Sequence, residues 1–416
     1  MAALMRAWLV IGVGLFVSVF ASRAVAQAPT LEQRAKLATG AFESSSSTPV
    51  EPTQLAPVVP GTPAFEKDPE KKRLWDVVKV LPILFYTPET SVGFGAGTLF
   101  QFRMPGADTK GRSSSVSLGA VYTLEKQTMA QLTPELRFGD DDYVLRLDLL
   151  GAEFPSRFYG IGNEPDQDRF DTFTDCYLRG ELDLRMRPFA REHALGALYI
   201  GAHYSAAWSD VNDVRPSEAD QPSMFDAVDD PGEHALLASG IGPSIAWDSR
   251  DGLNWPTGGS FIELKATEYA PAFGSDVHYR RLFVDARRYQ PLWFSHILAL
   301  RLVAQSVWGE VPFQRLPQLG GAGMFRGWYS GQLRGSRLIA VEAEYRVPLG
   351  QRWAVVAFGS AGRVSEHVRG MSPKGIHLAG GGGIRFSVDK RDRINIRLDL
   401  AYGDSLRPYL QFREAF

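Results

Sequence analysis

The chain has 416 residues, a formal net charge of -2 and a single cysteine, Cys176. Near-neutrality gives no nucleic-acid signal, and one cysteine excludes internal disulfides, so packing and backbone hydrogen bonds alone must hold the fold. Forty-one glycines and 12% aromatics, with charges dispersed through apolar runs, fit a polar-lined β structure better than a helical one.

The N-terminus runs apolar from Ala7 to Ala21 behind Arg6 and reaches Ala24-Val25-Ala26 before Gln27, the form of a cleaved secretory signal over residues 1–26. Its apolar core is about fifteen residues, short of the ~20 that a spanning helix needs. Residues 27–73 are poor in large apolar side chains and rich in Pro, Ser, Thr and Glu. They predict a disordered periplasmic tail, too small for an independent domain.

From about Val80 onward the pattern alternates with period two. Val92, Phe94, Ala96, Thr98, Phe100 and Phe102 share one face of a strand, with Gly93, Gly95, Gly97, Gln101 and Arg103 on the other. In Phe173 to Arg187, Leu178, Leu182, Leu184 and Met186 alternate with Arg179, Glu181, Asp183, Arg185 and Arg187. A charged row opposite a leucine row suits either a soluble sandwich or a membrane barrel with a wet lumen.

The number of such runs separates these readings. Sixteen fall between Val80 to Tyr86 and Pro408 to Phe416, most near the ~10 residues that a tilted strand needs to cross the hydrocarbon. If the first rises from the periplasm, the long connections Pro155 to Thr172, Ser209 to His234, Gly309 to Ser336 and Arg363 to Gly375 share one end. Short turns such as 139–142, 349–352 and 389–392 share the other. That asymmetry predicts a sixteen-stranded antiparallel transmembrane β-barrel over residues 74–416, against two tandem sandwich domains. Phe416 is expected to close the last strand, outward with Phe412 and Leu410.

One connection carries more than the rest. Arg326 stands in a glycine-rich stretch with glycines at 320, 321, 323 and 327, and the strand leaving it carries Glu342 and Glu344 on one face. A guanidinium can leave water only if a carboxylate meets it, so the pattern implies a buried ion pair. The alternative is a solvated surface loop whose arginine touches nothing.

Five motifs stand in order along the chain: Tyr86-Thr87-Pro88-Glu89-Thr90, Tyr159-Gly160-Ile161-Gly162-Asn163, Trp247-Asp248-Ser249-Arg250-Asp251 with the following 254–259, Arg326-Gly327-Trp328, and Glu344-Tyr345-Arg346-Val347-Pro348-Leu349. Together they resemble the bacterial surface antigen family, the barrel superfamily of the outer-membrane assembly factors BamA and TamA. The resemblance implies sixteen strands, with the sixth outer loop folding back into the lumen. It makes Arg326, Gly327 and Trp328 the lumen-loop anchor, Glu344 the partner with Glu342 as its alternate, and the joint between first and last strands a weak seam. Pro82, which cannot donate to the ladder, weakens the same seam.

Two departures from the family pattern stand out. Ser360 occupies a position where the family tends to have an aspartate, which would leave the anchoring to Glu342 and Glu344 alone. The N-terminal tail is too short for even one polypeptide-transport-associated (POTRA) domain, as in the subgroup that lacks them.

Gly403-Asp404-Ser405-Leu406 spells a lipase-like motif with no histidine after it, and reads as a turn. Gly380 to Gly383 precede a strand rather than a helix, and read as a place of close backbone approach. No enzyme activity, cofactor or metal is expected. The charges Arg179, Glu181, Asp183, Arg185, Asp285, Arg301 and Arg397 read as a network solvating the lumen.

The expected location is the outer membrane of a Gram-negative bacterium, with outer-membrane lipid as a partner. Further expected partners are nascent outer-membrane proteins or a separate periplasmic protein. The expected function is insertion or translocation of proteins or lipids at the outer membrane, the alternative a passive pore or structural surface protein.

Overall fold

A computed structural model describes residues 78–104, 112–139, 141–166, 168–217, 222–225, 235–367, 374–389, 393–412 and 414–416. The signal segment 1–26 and the tail 27–73 lie outside the described residues. Sixteen antiparallel strands close into one barrel, which rules out two sandwiches. In chain order they begin with β1 (Val78–Thr87), β2 (Ser91–Phe102), β3 (Ser114–Thr123), β4 (Thr128–Phe138), β5 (Tyr143–Phe158), β6 (Asp171–Met186), β7 (Leu198–Pro216) and β8 (Leu236–Asp248). They continue with β9 (Gly259–Tyr269), β10 (Tyr279–Pro291) and β11 (Ile297–Gly309). A two-stranded ribbon, β12 (Gln318–Leu319) with β13 (Leu333–Arg334), belongs to the loop that follows. The ring resumes with β14 (Arg337–Leu349), β15 (Trp353–Ser365), β16 (His377–Asp389), β17 (Ile394–Tyr402) and β18 (Leu406–Phe412).

The alternation decides which face is which. On β6 the exposed Leu178, Leu184 and Met186 look outward, while Asp175 and Asp183 are buried inside. Leu300, Leu302, Ile339, Val341, Leu398 and Leu400 continue the outward apolar surface on other strands. Inside, Asp183 meets Arg185 at 3.0 Å and Lys265 at 2.9 Å, and Asp285 meets Arg287 at 2.6 Å and Arg301 at 2.9 Å. A barrel that is apolar outside and ion-paired inside inverts the soluble arrangement, because its outer solvent is hydrocarbon.

Several boundaries differ from the sequence reading, three of them by enough to matter. β5 runs on through Pro155 to Phe158, and β7 runs on to Pro216, so parts of these expected loops are strand. Pro155 is tolerated because β4 pairs with β5 only as far as Glu153, which leaves the proline beyond the last rung on that side. The last strand stops at Phe412, and Phe416 turns inward instead of outward. Its ring is buried against Tyr289 and Ala299, and Arg346 Nη2 donates to its main-chain oxygen at 3.0 Å.

Leu302 lies near the middle of β11 on the outward face. Leu302→Arg is expected to destabilise the barrel by about 2–4 kcal/mol, measured by urea titration of the protein folded into lipid vesicles.

Candidate functional site

The loop between β11 and β14 folds into the barrel, and its apex is held by charge. Arg326 is fully buried. Its Nη2 donates to Glu342 Oε1 at 2.6 Å and Glu344 Oε2 at 3.0 Å, and its Nη1 to Asp399 Oδ2 at 2.7 Å. The guanidinium carbon lies 3.5 Å from the centroid of the Phe358 ring, so a face with negative quadrupole closes the remaining side.

Sequence reasoning left Glu342 and Glu344 as alternates, and the structure places both on the arginine. It also corrects the expectation that they act alone, since Asp399 of β17 is a third partner. The signal for it was present: Asn395, Arg397 and Asp399 alternate with Ile396, Leu398 and Leu400, so Asp399 shares the lumen face with Arg397. Ser360, opposite Glu342 in the ladder, is buried and makes no hydrogen bond through its hydroxyl.

Three carboxylates on one guanidinium leave an excess of negative charge that must be met nearby. Arg346 Nε meets Glu344 at 2.8 Å, and Arg385 reaches Glu344 at 3.2 Å, Asp399 at 2.5 Å and Glu414 at 2.7 Å. Arg397 adds a contact to Asp399 at 3.3 Å. The cluster thus holds Arg326, Arg346, Arg385 and Arg397 against Glu342, Glu344, Asp399 and Glu414, and it is neutral only with the loop arginine in place. In β16, a Cβ at Gly383 would stand 2.0 Å from Asp399 Oδ1, so the glycine leaves room for this pairing.

The neighbours of Arg326 are fixed by packing. Phe325 takes a left-handed φ of 70°, and its ring is held in a cluster with Leu319, Trp328, Leu333 and Val364. Gly327, with φ of 105°, donates its N–H to the Tyr409 hydroxyl at 2.9 Å. A Cβ there would lie 2.7 Å from the carbonyl carbon of Tyr402. Trp328 Nε1 donates to the Leu378 carbonyl at 3.2 Å, and its ring stands edge-on to His377 at 4.6 Å. The Gly403 to Leu406 segment is a turn that meets the loop, with Asp404 N donating to the Gly327 carbonyl at 3.2 Å.

Two of the other motifs converge on the same loop. Glu89, between β1 and β2, accepts from Ser330 N at 2.9 Å. Gly162 pairs with Arg334 of the loop ribbon, and Asn163 accepts from Val364 N at 2.9 Å. At the opposite end Asp248 takes Arg112 at 2.5 Å and Arg250 at 2.9 Å, and Trp255 is buried 4.8 Å from the Arg346 guanidinium.

The joint between the first and last strands is sparse. Among the described residues β1 and β18 pair only at Tyr86 with Leu410, whereas β1 pairs with β2 at every position from Val78 to Thr87. Pro82 is exposed on β1, and Ile83 and Phe412, one from each strand, share the wall of a cavity of about 290 Å³. Phe416 lies beyond β18, inside the barrel. Through Arg385 to Glu414 and Arg346 to Phe416, the residues that follow β18 join the charge cluster around the loop arginine.

The Omp85 superfamily domain matches residues 100–391. The fold is similar to that of BamA from Haemophilus ducreyi lacking POTRA domains 1–3, with TM-score 0.52, 12% identity, and 81% of this chain and 69% of that one covered. It is also similar to CdiB from Escherichia coli, with TM-score 0.53, 11% identity, and 80% and 62% covered. CdiB from Acinetobacter baumannii gives TM-score 0.50, 10% identity, and 81% and 59% covered. The chain therefore spans about three fifths of either CdiB. Comparison with curated proteins gives no match.

Arg326→Ala leaves three carboxylates without their shared partner and is expected to destabilise the folded barrel by about 3–5 kcal/mol. It would be seen as a lower temperature for loss of the folded band on gels. Arg326→Lys should recover only part, because a point charge cannot meet three carboxylates as a planar fork does. Gly327→Ala should also lower that temperature, since its Cβ must displace backbone.

Proposed function

The chain belongs to the Omp85 superfamily, and from that premise we propose that it acts in insertion or translocation of proteins or lipids at the outer membrane, working at the β1–β18 seam. Barrels of this superfamily are outer-membrane assembly and translocation factors, and this chain is accordingly an outer-membrane protein of the Gram-negative envelope. The observation that carries the finer reading is the seam with one paired position. Edge strands left with unpaired N–H and C=O groups in hydrocarbon are costly, which favours pairing with another strand or disturbing nearby lipid.

In this reading Arg326, Gly327 and Trp328 are the loop anchor, with Glu342, Glu344 and Asp399 its partners. The anchor and the seam are one device. Tyr409 of β18 holds Gly327, and Arg385 bridges Glu344 to Glu414 just beyond that strand. A tethered loop fixes the lumen side of β18 while its edge toward β1 stays free to exchange partners. The cargo comes from nascent outer-membrane proteins or lipid, with delivery by a separate periplasmic partner.

A seam lock tests this. Tyr86 and Leu410 are cross-strand neighbours, so their Cα atoms stand about 4.5–5.5 Å apart, within reach of a disulfide. With Cys176→Ser in the background, Tyr86→Cys with Leu410→Cys is expected to abolish function when oxidised and restore it when reduced. Function is read as the inventory of outer-membrane proteins and lipids after depletion of the native copy. Full function in the oxidised form overturns the seam reading. A large, steady bilayer conductance unchanged by Arg326→Ala would favour a passive pore.

A further inference from the structure

We propose that the outer wall built by β11, β14 and β15 holds one phosphate-bearing lipid of the outer leaflet, its phosphate on Arg337 and one acyl chain in the trough below. This site lies away from the seam and does not depend on how the seam works.

Arg337 opens β14 in phase with the exposed Ile339 and Val341, and it pairs with Ser306 of β11, so its side chain belongs to the outer wall. It stands at the end of the barrel from which the Arg326 loop emerges. Its guanidinium lies 4.4 Å from the Trp308 ring centroid, an aromatic–cation pair of the kind found where a membrane wall meets water. Only 7% of the residue is exposed, yet no carboxylate of a described residue pairs with it. Nη1 donates to the Val307 and Ser336 carbonyls, and Nε makes no hydrogen bond. Arg326, Arg346, Arg385 and Arg397 each meet a carboxylate, so Arg337 is unlike them in lacking an anion. An uncompensated buried charge is costly, and an anion from outside the chain would relieve it.

Space for that anion is present. A cavity of about 900 Å³ is lined by Arg337, Trp308 and His367 and by the acids Glu164, Asp166 and Glu366, none of which makes an ion pair with Arg337. Along the same strands a second cavity, of about 660 Å³, is lined by Leu300, Leu302, Val341, Ala343, Gly359 and Ala361. From Arg337 to Ala343 the wall extends about 20 Å at ~3.3 Å per residue, the scale of an extended acyl chain. The trough is not forced by packing within the barrel: a Cβ at Gly359 would meet only the Ala379 carbonyl, at 4.0 Å. A charged rim above an apolar trough matches an anionic headgroup above a hydrocarbon tail.

Native mass spectrometry of the full chain in detergent tests the site with three probes: lipid A, the same lipid stripped of its phosphates, and inorganic phosphate. One lipid A is expected to stay bound per barrel, with the stripped lipid about tenfold weaker, as expected for loss of a charge-assisted contact. Arg337→Gln should weaken lipid A by a similar factor while leaving the stripped lipid unchanged. Gly359→Leu with Ala361→Leu should weaken both lipids, because it fills the trough on a face where side chains have room. The stripped lipid on the unaltered chain tests the headgroup contact even if Arg337→Gln fails to fold. Equal binding of the two lipids to the unaltered chain overturns the proposal. Displacement of lipid A by inorganic phosphate alone, or undiminished lipid binding in the trough variant, does so equally.

Discussion

One guanidinium shared by three carboxylates sets the interior of this barrel. Glu342, Glu344 and Asp399 come from two strands on the lumen wall, and without Arg326 they would leave net negative charge where water is scarce. The loop must therefore fold inward, and once it does, its flanks are fixed. Phe325 and Trp328 pack with Leu319 and Leu333, Gly327 abuts the Tyr402 backbone, and Ser330 docks on Glu89. A loop of this length would otherwise keep considerable conformational entropy, and the ion pairs offset that cost by acting together.

The same cluster reaches the end of the chain. Arg385 and Arg346 each hold an acid of the cluster on one side and a residue beyond β18 on the other. The strand at the weakest joint of the ring is thus braced from the lumen, while its pairing to β1 among the described residues is a single rung. Stability in the ring is uneven: long ladders such as β5 with β6 and β6 with β7 stand on one side, a near-open joint on the other. In hydrocarbon, where no water can satisfy a bare strand edge, that unevenness makes the joint costly as well as mechanically weak.

The outer surface repeats the theme in another solvent. Most of the wall presents leucine, isoleucine and valine to lipid, as the alternation requires. Near the outer end Arg337 departs from this, stacked on Trp308 above a trough that includes alanine and glycine. The same chemistry that closes the lumen with internal carboxylates is left incomplete on the outside.

The sequence by itself carried the alternation along the strands and their number in the ring, and it named Glu342 and Glu344 as candidate partners of Arg326. Period-two alternation is a local property, and a hydrocarbon exterior enforces it residue by residue. Tertiary structure alone decided what depends on distance through space. Asp399 joins the arginine from 73 residues away, past the strand that carries Ser360. Phe416 turns inward because β18 ends at Phe412 and Arg346 and Tyr289 receive it, which no alternation could foretell. Pro155 stays in a strand because its neighbour had already ended. In each case the deciding partner lay on another strand, and a local pattern says which way a side chain points but not what it will meet.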